Sequence, residues 1–170
     1  MRRHAAWVAL GLLLAVLEAE LPKLPGLHTF HPLLHIPLIL FFALRLNTIE
    51  GAVLSFVVGT FVGATVPYNL GLAEFMDVSI FVGARVLLAG IRADGAVFEA
   101  MFAFLLAAAF HLGTWWLRRL FGVPMSVLTG TPWVHEHFVA CLSTAVATPF
   151  VFRIGRRIER IEAKPPGAFS

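Results

Sequence analysis

Charge is scarce in this chain. Only 14% of its 170 residues are Asp, Glu, Lys or Arg, where a soluble domain carries roughly a quarter. Cysteine occurs once, at Cys141, so no intrachain disulfide can form and cysteine usage says nothing about redox compartment. The chain has no GxSxG, no P-loop, no GxGxxG and no cysteine–histidine pair at a family spacing. The sequence grounds for the common hydrolase, phosphate-binding and dinucleotide-binding chemistries are therefore missing. A membrane enzyme also needs several polar groups inside its bundle, and few exist here. The chain reads as non-enzymatic, with no cofactor.

Apolar residues fill the space. They make up 59% of the chain, and the mean hydropathy is +0.85. They fall into six stretches: Ala5–Leu21, Pro32–Leu46, Gly51–Val66, Phe75–Gly90, Val97–Leu117 and Val134–Phe152. In lipid a backbone must satisfy its own hydrogen bonds, so apolar runs of about 20 residues become helices. The expected fold is all-α: a polytopic bundle of six transmembrane helices in one domain, residues 1–153, with a basic tail over 154–170. The second stretch is the shortest, and Pro32 and Pro37 stand near its start. Proline is tolerated in the first turn of a helix but bends it further in. Arg2 and Arg3 before an apolar run resemble a signal peptide. Glu18 and Glu20 occupy the place where a cleavage site needs small residues, so the first stretch reads as an uncleaved helix.

The positive charges give an orientation. With the N-terminus inside, Arg2, Arg3, Arg45, Arg92, Arg153, Arg156, Arg157, Arg160 and Lys164 are cytoplasmic, and only Lys23, Arg118 and Arg119 lie outside. That is nine against three, with Arg85 set aside because it lies within a stretch. Both termini are thus expected in the cytoplasm. Basic residues that flank helices suit anionic lipid headgroups and not nucleic acid. Arg153, Arg156, Arg157 and Arg160 form a membrane-anchoring tail. Ile154, Ile158 and Ile161 interleave with them at helical spacing, so the sixth helix is expected to continue as an amphipathic end. Lys164-Pro165-Pro166-Gly167 beyond it reads as disordered.

Small residues repeat along single helix faces. Gly51, Ser55, Gly59 and Gly63 each follow the last by four residues, and 59–63 is a GxxxG unit. Such a ribbon lets another helix approach closely and gain dispersion contacts. Ser79/Gly83, Ala103/Ala107 and Ala140/Thr144/Thr148 repeat the spacing. The faces serve packing within the chain's own bundle or docking of a partner helix. Asn69 and Gly71 suit a tight turn after the ribbon, because both tolerate positive φ.

Ionisable groups inside a bundle are costly and face its interior or water. Asp77 and Arg85 share the fourth stretch, roughly 12 Å apart along the axis, too far to pair. Each is expected to reach its nearer interface. His111 is expected to bond a neighbouring helix. His28, His31, His35, His135 and His137 fall on the outer side with Glu18, Glu20 and Glu136. Imidazole and carboxylate suit zinc or nickel, but His135-Glu136-His137 lacks the second His of HExxH because position 139 is Val. Interfacial hydrogen bonding is the expected role, with no metal site.

Several of these features together resemble the rod shape-determining protein MreD family. The likeness begins at Phe30-His31-Pro32 and runs through Leu33–Leu44 and the polar turn Arg45–Glu50. It continues through the third helix to Asn69-Leu70-Gly71. The family tends to show a Gly, a few apolar residues, an acidic residue, and a Leu-Gly some positions later. Gly59 matches the first and Leu70-Gly71 the last. Gly63 occupies the acidic position, leaving Asp77 or Glu74 as nearby carboxylates to compensate. The resemblance implies a non-enzymatic inner-membrane scaffold of the cell-elongation machinery. It also implies an MreC-like single-span partner, with peptidoglycan synthases and MreB filaments reached through it. The family's fold is similar to that of substrate-binding subunits of energy-coupling-factor transporters. The alternative function is therefore capture of a vitamin or metal by such a subunit.

Overall fold

A computed structural model of the protein describes residues 2–24, 31–65, 71–90, 95–121 and 131–162. Asn69, His28, Arg92 and Lys164 lie outside them. The described residues form six α-helices: α1 Arg2–Glu20, α2 His35–Arg45, α3 Thr48–Thr65, α4 Leu72–Leu88, α5 Ala96–Leu120 and α6 Thr131–Glu162. A 3-10 turn, Leu21–Lys23, follows α1 where Pro22 prevents the helix from continuing. Four helical spans are long and apolar enough to cross a membrane: Arg3–Lys23, Thr48–Thr65, Ala96–Leu120 and His135–Arg160.

Large apolar side chains point outward from every one of these spans, among them Leu13, Phe56, Leu105 and Val146. A soluble protein does not present so continuous an apolar exterior, because its water contact is unfavourable in proportion to area. The surface matches a lipid surround, and the molecule is a membrane-type helical bundle.

The core is α2. This helix packs against α1, α3, α4, α5 and α6. Ile36, Leu38, Ile39, Leu40, Phe41 and Phe42 have no accessible surface. Trp7 and Phe152 close on Phe41 at ring-centroid distances of 5.3 Å each. With 11 residues, α2 is roughly 16 Å long, about half the hydrocarbon thickness. Here the structure departs from the apolar stretch Pro32–Leu46. Residues 31–33 are not helical, and the helix begins only at His35. Pro37 sets this boundary, because in a helix begun earlier its ring would meet the Leu33 carbonyl. Pro37 then falls in the first turn, where its missing N–H costs nothing, and it does not kink the helix.

A short helix ending inside an apolar bundle leaves backbone groups to satisfy. Its neighbours supply charged caps. Glu18 of α1 stands at the N-terminus, where Oε2 lies 2.8 Å from the His35 ring Nδ1 and 3.5 Å from the His35 backbone N. Arg85 of α4 stands at the C-terminus, where Nη1 donates to the carbonyls of Ala43 (3.2 Å) and Leu46 (2.6 Å). Each charge also has the sign that the helix macrodipole favours. Arg85 thereby reaches the end of α2 beside the exposed α2–α3 turn, where two carbonyls with no helical partner lie within its reach. On the approach to α2, the Leu33 N–H donates to Thr144 Oγ1 of α6 at 2.8 Å.

The last helix runs unbroken from Thr131 to Glu162, past the end of the apolar stretch. Pro149 lies within it and removes one backbone hydrogen bond. In the extension Ile158 packs on the core while Ile154 stays exposed.

Candidate functional site

Two features gather the residues of interest. The first is the α3–α4 seam. Gly51, Ser55, Gly59 and Gly63 are all buried, and α4 covers the three glycines. The Phe81 ring lies directly over Gly51. A Cβ on Gly59 would sit 2.7 Å from Glu74 Cα, so two backbones touch there. One turn on, Glu74 Oε2 and Oε1 are 3.4 and 3.5 Å from the point a Gly63 Cβ would occupy. The Glu74 carboxylate therefore fills the space beside Gly63. It is held there because Oε2 also accepts the Gly71 N–H at 2.7 Å. Gly71 starts α4 with φ +86°, a conformation side chains resist. The ribbon is filled by this chain's own α4. On α4 itself Ser79 is exposed, and Gly83 has nothing within 4 Å of its Cβ position among the described residues. Ala103, Ala107, Ala140, Thr144 and Thr148 are buried.

The second feature is a polar line at the end of the bundle where α2 begins. Glu18 reaches His35 Nδ1, and His35 Nε2 lies 3.5 Å from Asp77 Oδ1. His35 and Asp77 have no accessible surface, whereas the Glu18 side chain is 17% exposed. The expectation that Asp77 snorkels to an interface is corrected. Its position on α4 faces α2, and the imidazole is the polar group within reach. Beside this line, the His111 ring packs on His137 of α6 at 4.2 Å and the Phe110 ring on His35 at 5.0 Å. A cleft of about 340 Å³ opens above, lined by Glu18, Lys23, His31, Leu33, Thr65 and His111 among others. His135 and Glu136 are exposed and stand apart from it. Among the described residues no three His, Cys, Asp or Glu side chains converge as a metal site.

Sequence reasoning placed His35 and Asp77 separately and missed their meeting. The available signal was depth. Glu18 closes the first stretch, His35 opens the second and Asp77 opens the fourth, so all three fall at one membrane level.

At the opposite end Arg3 and His4 of α1 pair with Glu50 of α3, and Arg156 of α6 with Glu99 of α5 at 3.0 Å. Arg156 also lies over the Phe152 ring. Arg153, Arg157 and Arg160 are exposed, and with Arg156 and Pro149 they edge a groove of about 540 Å³.

Fold and site define a membrane-embedded helical bundle with a closed glycine seam and a buried polar line. Comparison with family models, with characterised proteins and with solved structures gave no match.

Proposed function

We propose that this chain is a non-enzymatic scaffold of MreD type in a bacterial inner membrane. It acts in cell elongation with an MreC-like single-span partner, and through it with peptidoglycan synthases and MreB filaments. The observation that carries the reading is the Glu74 carboxylate over Gly63. The resemblance from Phe30 to Gly71 lacks only its acidic residue, and α4 returns a carboxylate to that point. Depletion is expected to round the cells, and co-expression with an MreC-like protein to yield a stable membrane complex. Rod-shaped cells after depletion, with no complex, defeat the reading.

In this proposal all six helices span, α2 doing so with the non-helical residues before it, in a bundle similar in fold to energy-coupling-factor substrate-binding subunits. The nine-to-three bias in loop positives puts both termini in the cytoplasm. Reporter fusions after Arg119 and after Arg160 are expected to report opposite compartments. The same compartment for both removes the six-span arrangement.

A second reading rests on the 340 Å³ cleft, which has the size and mixed polarity of a small-ligand site. Under it the protein captures a vitamin or metal for an energising partner. Tight binding of a vitamin by the purified chain, together with co-purifying ATPases, selects this reading over the scaffold.

A further inference from the structure

The buried polar line has features that packing alone does not account for. Both Asp77 carboxylate oxygens are buried and make no hydrogen bond among the described residues. An unsatisfied polar group in an apolar interior costs about 1–3 kcal/mol, more if charged. An apolar residue at 77 would avoid that cost. The line is also graded in access. Glu18 lines the cleft, His35 lies behind it, and Asp77 lies deepest. An imidazole with one nitrogen toward each carboxylate is the geometry of a proton shuttle, and Asp/Glu/His chains within membranes commonly carry protons.

We propose that Glu18, His35 and Asp77 form a proton-loading site fed from the cleft. A hydronium ion in the cleft protonates Glu18 and leaves as water. Glu18 passes a proton to His35 Nδ1 while Nε2–H gives its proton to Asp77. One O–H and one N–H bond break, one N–H and one O–H bond form, and His35 ends as the other tautomer. No electrons move. The Asp77 proton returns by the reverse transfers, which restore the first tautomer. Neither Asp77 oxygen has a hydrogen-bond partner among the described residues to take the proton onward, so the site stores a proton.

The surroundings set what loading does. Facing the line are Glu18 from α1, Glu74 and Asp77 from α4, His111 from α5 and His137 from α6. The one ionisable residue of α3, Glu50, lies at the other end with Arg3. Unloaded, Asp77 adds a third negative charge to those of Glu18 and Glu74. Loaded, it is neutral, and the first turns of α4 pack on α2 and α3 with less repulsion. Acidity on the cleft side thus tightens this end of the bundle.

The full chain in lipid nanodiscs tests the proposal by infrared spectroscopy across pH. The wild type is expected to show the carbonyl band of a protonated carboxylic acid. The band should fade as pH rises and shift in heavy water. Asp77→Asn, similar in shape, should delete it while circular dichroism still reports the helices. Glu18→Gln should leave the band and slow its heavy-water shift. Should Asp77→Asn fail to fold, Asp77→Glu decides: a displaced band supports the site and an unchanged band overturns it. Absence of the band at every pH where the wild type is folded also overturns it. So does its persistence in Asp77→Asn. Heavy-water exchange at the wild-type rate in Glu18→Gln overturns the entry route.

Discussion

Gly59→Leu is expected to collapse the folded bundle, whereas Gly83→Leu leaves it intact. The difference lies in what each new side chain meets. At Gly59 even the first carbon lands 2.7 Å from Glu74 Cα and 3.0 Å from Glu74 N. Backbone cannot rotate away as a side chain can, so α4 as a whole must retreat from α3. Overpacking by a few methylenes costs about 1–3 kcal/mol where neighbours can adjust. Here the retreat also pulls Glu74 off Gly63 and Phe81 off Gly51, so the loss lies at or above the top of that range. Gly83 has open space at its Cβ position, and a larger residue there recovers helix propensity worth roughly 1 kcal/mol. Thermal unfolding in detergent, read by size-exclusion retention, separates the two. A Gly59→Leu protein with wild-type stability would show that the seam is not a close contact in solution.

Arg85→Met is expected to be nearly as damaging, although it replaces a membrane charge with an apolar chain of similar length. Hydropathy alone assigns the substitution a gain. The hydrogen bonds reverse the sign. Without the guanidinium, the Ala43 and Leu46 carbonyls lose the donor they share. A buried group left without a partner costs about 1–3 kcal/mol, so the pair together loses roughly 2–6 kcal/mol. The favourable charge at the C-terminus of α2, worth about 0.3–1 kcal/mol, goes as well. Arg85→Lys keeps the charge and donors on a shorter head and should fall between. If Arg85→Met melts at or above the wild-type temperature, Arg85 is not the cap of α2.

The helices were legible wherever a single segment determines its own fate. Runs such as 51–66 and 97–117 are apolar enough to be helical in lipid whatever surrounds them, and Pro22 and Gly71 mark boundaries by local sterics. The extension of α6 was also legible, since Ile154 and Ile158 share the register of the helix before them. Partnerships between segments were not. Asp77 and Arg85 read alike as groups seeking water, and only the helix opposite decides that one finds an imidazole and the other two carbonyls. The Gly51–Gly63 ribbon announces a close approach but does not name the approaching helix. That Glu74 comes to rest beside Gly63 depends on the register of α4 against α3, which no spacing within either helix encodes.

The doubly capped core helix has a consequence for biogenesis. A segment of 11 residues with His35 in its first turn and Arg45 in its last is a poor candidate for release into lipid on its own. Alone it would have to drag its uncapped carbonyls into hydrocarbon. Only Leu46 and Asn47 separate it from α3, so the two enter most readily as a helical hairpin, with α3 as the part that anchors. Its two caps then arrive at different times. Glu18 is already synthesised when α2 emerges, but Arg85 follows some forty residues later. Until α4 is threaded, the Ala43 and Leu46 carbonyls at the C-terminal end of α2 lack their Arg85 donor.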